Sequence, residues 1–272
     1  MKNIYGILIF LLFCVTNSYS EIYKGKITDR TTSLPIEYVN IGIVGKNVGT
    51  VSDVNGNFSL TIDKQYNNDT LLISCLGYFP KSIKIEDFIN SKINEIKLDE
   101  KVTELPKVIV LPKKYKNKRL GISTQSKSIQ AGFKDNQLGY ECGVMMKIKK
   151  SAIFECVNIN IASCTYDSIF YRLNIYKILN NGSYENILQK PIYILKSKLE
   201  IINEIKIDLT QLHILVNGNT LVTLEHIKDL GSGQLNFCAG FSGKTYYRKT
   251  SQGKWDTAPI GVSISVDAKV EK

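Results

Sequence analysis

The stretch Gly49-Thr50-Val51-Ser52-Asp53-Val54-Asn55-Gly56-Asn57-Phe58-Ser59-Leu60 runs into Thr61-Ile62-Asp63. Phe58, Leu60 and Ile62 alternate with Ser59, Thr61 and Asp63, the period-two pattern of a strand with one buried face. Asn55-Gly56 suits a type I′ turn, in which both central residues take positive φ. Asp53 can accept bonds from amides within the turn, Gly56 supplies the positive φ, and Phe58 starts the strand with its ring toward a core. A calcium loop would also place oxygens at alternate positions here, but the terminal bidentate Glu is absent and a turn accounts for every residue.

The same grammar extends outward. Ile22 to Ile27 reads as a strand, and Val39, Ile41 and Ile43 alternate with their neighbours. Leu71 to Leu76 is a near-continuous apolar run, as a central strand requires, and Gly77 breaks it. Ile83 and Ile85, then Ile93, Ile96 and Leu98, give further short strands, and Glu86 to Ser91 gives at most one helical turn. Asn181-Gly182 and Asn217-Gly218 repeat the turn signal between alternating segments, so three hairpins are expected. Val144 to Ile148, Ile153 to Ile161, Ile192 to Leu195, Glu204 to Leu209 and Val262 to Val266 continue the pattern. Strands at this spacing predict an all-β chain of sandwiches or barrels.

The first twenty residues are read separately. Lys2, an apolar run from Ile7 to Val15, and Ser18 and Ser20 at the −3 and −1 positions form a secretory signal peptide, cleaved after Ser20. The run falls short of the about 20 residues that span a bilayer, and no later stretch is apolar enough to span as a helix. Phe13 before Cys14 argues against lipidation. Export to the periplasm, the outer-membrane surface or the exterior is expected. The chain carries a formal charge of +10, of which the signal peptide holds only Lys2. Export turns that charge away from nucleic acid and toward acidic glycans, head groups, an acidic partner or a solvated surface.

Cys75, Cys142, Cys156, Cys164 and Cys238 remain, an odd number with no C-x-x-C pair. A hairpin centred near Lys149 would place Cys142 opposite Cys156, which allows a disulfide; buried free thiols are the other reading. Lys113-Lys114-Tyr115-Lys116-Asn117-Lys118-Arg119 reads as a basic linker or a polyanion patch. The expected organisation is therefore a signal peptide (1–20), a first module (21–112), a linker (113–119) and a larger domain (120–272).

The first module resembles the carboxypeptidase regulatory-like domain, a transthyretin-like β-sandwich. The resemblance rests on Lys24-Gly25-Lys26-Ile27-Thr28-Asp29, Pro35-Ile36-Glu37-Tyr38-Val39, Thr50-Val51-Ser52-Asp53 through Gly56-Asn57-Phe58, and Ser74-Cys75-Leu76-Gly77-Tyr78. It implies a non-catalytic companion module, found beside metallocarboxypeptidases and at the N-termini of bacterial outer-membrane and surface proteins. From about residue 119 the chain is similar to an uncharacterised β-rich region paired with that module, and a jelly-roll-like antiparallel sandwich is expected there.

No catalytic constellation emerges, and no cofactor is implied. A zinc carboxypeptidase needs H-x-x-E. His213 has Val216 at +3, and His226 has Asp229; both histidines are expected on sheet surfaces or hairpin ends. Gly231-Ser232-Gly233 lacks the spacing of a nucleophile elbow, and phosphate and dinucleotide loops are missing. A non-enzymatic envelope or surface protein for binding or assembly is the leading expectation. Glycan or peptide recognition beside an outer-membrane uptake system, and an unrecognised hydrolase, are the alternatives.

Tyr246, Tyr247, Arg248, Trp255 and Asp256 form the one suggestive patch. Rings beside Arg and Asp could stack on a sugar, or Trp255 could plug a sandwich end. Trp255→Ala separates these readings: loss of glycan binding with the fold intact marks a ligand patch, and loss of the fold marks packing.

Overall fold

The computed structural model describes residues 20–90, 94–101 and 114–272. The first sandwich contains β1 (Ser20–Asp29), β2 (Asn40–Ile43), β3 (Gly49–Val51), β4 (Asn57–Asp63), β5 (Thr70–Ser74), β6 (Lys81–Lys84), helix α1 (Ile85–Asn90) and β7 (Glu95–Leu98). One sheet has the order β4-β1-β7, with β1 and β7 parallel, and the other β3-β2-β5-β6. Strand β4 buries Phe58, Leu60 and Ile62 and exposes Asn57, Ser59 and Thr61, as the alternation requires. These rings and chains meet Ile27, Ile41, Leu71, Ile73 and Leu98 between the sheets. The apolar run Val108 to Leu111, which reads in the sequence as a last strand ended by Pro112, lies outside the described residues.

The second sandwich contains β8 (Tyr115–Gly121), β9 (Gln130–Lys134), β10 (Glu141–Met146), β11 (Ser151–Cys164), β12 (Ser168–Ile178), β13 (Tyr184–Asn186), β14 (Ile192–Ser197), β15 (Glu204–Asp208), β16 (Ile214–Asn217), β17 (Thr220–His226), β18 (Gln234–Gly240), β19 (Thr245–Arg248), β20 (Asp256–Ala258), β21 (Gly261–Val262) and β22 (Ile264–Glu271). One sheet follows β13-β12-β17-β10-β19-β20, with β14 also on β12. The other follows β21-β18-β11-β22-β8, with β15 and β16 on β11 and β9 on β18. Phe133, Phe154, Tyr171, Leu173, Leu224 and Phe237 fill the space between them. The chain is thus all-β, built as two stacked-sheet modules.

Four expectations change. Residues 115–119 are not linker: they open β8, paired along β22 from Glu271↔Tyr115 to Ser265↔Gly121. An edge strand leaves lysine side chains in water, and Arg119 is held by both oxygens of Asp267 at 2.7 and 2.9 Å. Cys142 and Cys156 are not opposite each other, because the chain changes sheets after β10; Cys142 faces Leu224 and Tyr247, Cys156 faces Asp208 and Asp267. All five described cysteines are free. His226 is not on a surface: it is fully buried against Phe133 and Tyr171.

The Asn-Gly turns also differ from type I′. Only the glycines take positive φ: Gly56 (+75°), Gly182 (+79°) and Gly218 (+75°). Leu179 N–H bonds Ser183 O, and Gly182 N–H bonds Leu179 O, so Asn181-Gly182 closes a β12–β13 hairpin through a longer loop with glycine left-handed. The other two turns carry the chain between sheets and close no hairpin. In the first of them Asp53 Oδ1 accepts from the amides of Asn55 and Asn57, both at 2.8 Å, so the side chain replaces a backbone acceptor.

The two modules are clasped. Gly42 on β2 and Gly49 on β3 face each other in register. Without side chains they leave a hole that the Ser251 segment of the second module enters, and a Cβ on either glycine would overlap the Ser251 carbonyl oxygen. Gln252 secures the clasp: its carbonyl accepts from Gly45 N–H at 2.9 Å, and its amide donates to Ser74 Oγ at 2.7 Å. Beside it, Tyr38 packs on Phe170 and Tyr193 with ring centroids 5.2 and 5.4 Å apart. Gly42→Ala should therefore undock the modules and split the thermal unfolding transition in two. Gly240→Ala, whose Cβ would meet only Thr124 at 3.9 Å, should leave a single transition near the wild-type midpoint.

Candidate functional site: a buried charge row and the inter-module cleft

Register places four charged residues in one row across adjacent strands. Arg172 on β12 lies opposite Glu225 on β17, Glu225 opposite Glu141 on β10, and Glu141 opposite Arg248 on β19. All four are buried. Alternation puts them on the sheet face turned away from the second module's core, with Leu173, Leu224 and Cys142 on the core side.

The row is neutral as a whole and densely bonded. Glu225 Oε2 accepts from Arg172 Nε (3.0 Å), Arg172 Nη2 (2.8 Å) and Asn174 Nδ2 (2.9 Å). Glu141 Oε2 accepts from Arg248 Nε at 2.7 Å and Tyr176 Oη at 3.3 Å; its Oε1 accepts from Asn174 and Thr223. Burial pushes both carboxyls upward. In Glu225 the two arginines outweigh burial and hold it below the usual carboxylate range. In Glu141 burial prevails over Arg248.

Arg172 also crosses the module boundary. Its Nη1 donates to Tyr38 O at 2.8 Å, and its Nη2 donates to Asn40 Oδ1. Tyr38 holds φ at +52°, a strained value for a bulky residue that aims its carbonyl at the guanidinium.

Next to the clasp, a cleft of about 610 Å³ opens between the modules. Asn47 and Thr50 come from the first module, and Asn136, Gln137, Tyr140, Tyr247 and Lys249 from the second. The volume lies within the roughly 300–1,000 Å³ of small-molecule sites. Its frame is fixed: Gly139 N–H bonds His226 O at 2.7 Å, and Thr250 Oγ1 bonds Leu138 O at 3.3 Å. Tyr140 and Tyr247 lie near-parallel at 26°, centroids 6.4 Å apart.

The residues singled out in the sequence are divided by strand alternation. Tyr247 joins the cleft. Arg248 points the other way into the charge row, and Trp255 covers its guanidinium at 5.2 Å while packing on Tyr176 and Tyr184. Tyr246 and Asp256 flank Tyr247 along β19 and across on β20. Asp53, Asn55, Gly56, Phe58 and Gly77 hold turns and core of the first module. The sequence reading missed Glu141, Arg172 and Glu225, whose polar identity suits an exposed face, and the Asn136–Tyr140 wall. The Arg172-x-Asn174-x-Tyr176 alternation was the available signal. Among the described residues no cluster of His, Cys, Asp and Glu is arranged to hold a metal.

Residues 23–110 match the model of the CarboxypepD_reg-like domain family, which covers the first sandwich and leaves the second outside. No curated protein matches the chain. Solved structures of the VP2 protein of infectious bursal disease virus align at a TM-score of 0.18 and 10% identity, over 93% of this chain. That alignment spans 77% of a mutant VP2 from T=1 particles and 64% of VP2 in a subviral particle. A score that low carries no argument about fold or role.

Arg172→Ala should cost about 3–5 kcal/mol, because it leaves a buried carboxylate without its cation. Replacing the pair together, Arg172→Met with Glu225→Leu, should cost clearly less, read by denaturant unfolding. Glu225 also has a pH signature. Its folded pKa lies below its unfolded value of about 4.3, so its contribution is present above that pH and is lost as pH falls through the folded pKa. Glu225→Gln should flatten that acid loss of stability.

Proposed function

Taking the first sandwich as a CarboxypepD_reg-like domain, we propose that the chain is an exported, non-catalytic binding protein whose ligand site is the inter-module cleft. The observation that carries this reading is that both modules supply cleft walls while the clasp holds them in one fixed arrangement. A junction between two modules is a usual place for a ligand. Export rests on the signal peptide read from Lys2, Ile7 to Val15, Ser18 and Ser20.

The acid and base groups with shifted pKa values serve other contacts. Glu141 and Glu225 are occupied by arginine and amide donors. His226 Nε2 lies 2.7 Å from Lys228 O, and burial lowers its pKa. A hydrolase would need a carboxylate, imidazole or thiol in the cleft, and the lining holds none of these. Assembly has one observation in its favour: Leu195 on the marginal strand β14 is 65% exposed, and the nearby Leu199 84%.

The test uses the mature chain, residues 21–272, as bait in envelope extract and on a glycan array, beside a cleft-filled variant, Gln137→Trp. Gln137 is exposed at the cleft wall, so the bulkier ring should leave the unfolding midpoint within a few degrees. Capture that disappears in the variant supports the cleft. Capture that persists unchanged rejects it, and capture lost instead in Leu195→Asp makes the chain an assembly component.

A further inference from the structure

We infer that the cleft takes a carboxylate-bearing saccharide, its acid group on Lys249 and a sugar ring against Tyr247. This rests on the cleft being the binding site.

The side chains lining the cleft are amides, hydroxyls, two tyrosines, Leu138 and one cation, without an aspartate or glutamate. Asn47, Asn136 and Gln137 each offer both a donor and an acceptor, which matches the paired hydroxyls of a pyranose. Tyr140 and Tyr247 are half-buried and line the cleft, and a tyrosine joins an apolar ring to a polar hydroxyl, suited to a ligand with C–H and O–H faces. Burial pushes the Tyr140 phenol well above its ordinary pKa, so it stays a neutral donor. A purely apolar ligand would strand those amides, and a flat aromatic one would leave most of their bonds unmade.

Charge selects within that class. Lys249 is exposed at the end of β19 and enters none of the ion pairs between described residues. A carboxylate there gains a charge-assisted bond, and the chain's positive balance, +10 less the Lys2 of the signal peptide, favours approach of an anion. Asp256, across from Tyr247 on the next strand, is exposed and outside the lining. It disfavours a second acid group on that side, so a single carboxylate near Lys249 is the better fit. The positive charge of Lys249 also repels a cationic peptide. The clasp fixes the backbone of both walls, so the ordering cost of binding falls on the exposed side chains Asn47, Asn136, Gln137 and Lys249.

The experiment starts from an array carrying uronate- and sialate-containing and neutral oligosaccharides, probed with the mature chain. The strongest carboxylated hit and its methyl ester, in which only the charge is removed, are then titrated calorimetrically. The inference expects carboxylated hits, about tenfold or greater weakening by the methyl ester and by Lys249→Gln, and weakening by raised salt. Tyr247→Ala should abolish binding with the unfolding transition still single. Hits confined to neutral glycans, equal affinity for the methyl ester, an array without hits, or displacement only by peptides each overturn the saccharide-carboxylate assignment. They leave the cleft itself standing if Gln137→Trp still removes the binding that remains. A carboxylated hit that binds Gln137→Trp as well as it binds wild type overturns the cleft reading and this inference together.

Discussion

Arg172 is the residue on which the arrangement turns. One guanidinium neutralises Glu225 in the second module and donates to the Tyr38 carbonyl and the Asn40 amide of the first. A planar cation with five donors in a fixed fork makes four bonds to three acceptor residues here, one more than the three donors of a lysine could supply. Because the group is buried, its bonds are costly to leave unmade, so separating the modules exposes a carboxylate–guanidinium row to rearrangement. The modules are therefore held by directional bonds as well as by packing. The strained φ of Tyr38 is kept by the same bond and by the ring cluster with Phe170 and Tyr193.

Shape complements this chemistry. Gly42 and Gly49 are a facing pair of missing side chains, and Ser251 fills the space. Glycine within a strand usually weakens it, and here its use is close approach of another backbone. The cleft is a by-product of the same geometry: the hairpin that receives Ser251 also carries Asn47 and Thr50 to its edge. A site made from two modules depends on both folding and on the clasp between them, whereas a site on one sandwich would not.

The carboxylate pair shows how context assigns a role. Glu141 and Glu225 sit side by side, an arrangement that in an open pocket would suggest acid–base chemistry. Arg248 and Arg172 flank them, and Asn174 bridges both. Trp255 closes over Arg248, so the aromatic–basic patch that suggested sugar binding is mostly a lid on buried charge. Only Tyr247, pointing the other way on the same strand, reaches the cleft.

Much of the architecture follows from local pattern. The Phe58-Leu60-Ile62 alternation, the Leu71–Ile73 run and the Asp53–Gly56 turn need only neighbours in the chain, and they yield an all-β first module of recognisable family. Period two also dictates that Arg172, Asn174 and Tyr176 share a face. What that face meets is not local. An alternating polar face reads as solvent-exposed because most are, and only tertiary contact with Tyr38 and Asn40, more than 130 residues away in sequence, buries it. The same holds for Lys116, Lys118 and Arg119, whose charge suggested a linker until pairing with β22 made them an edge strand. Sequence determined which residues alternate and where the chain turns. The tertiary structure decided which sheet each strand joins, which face is covered, and that the two modules enclose a cleft, because those outcomes depend on the long-range closeness of surfaces rather than on neighbouring residues.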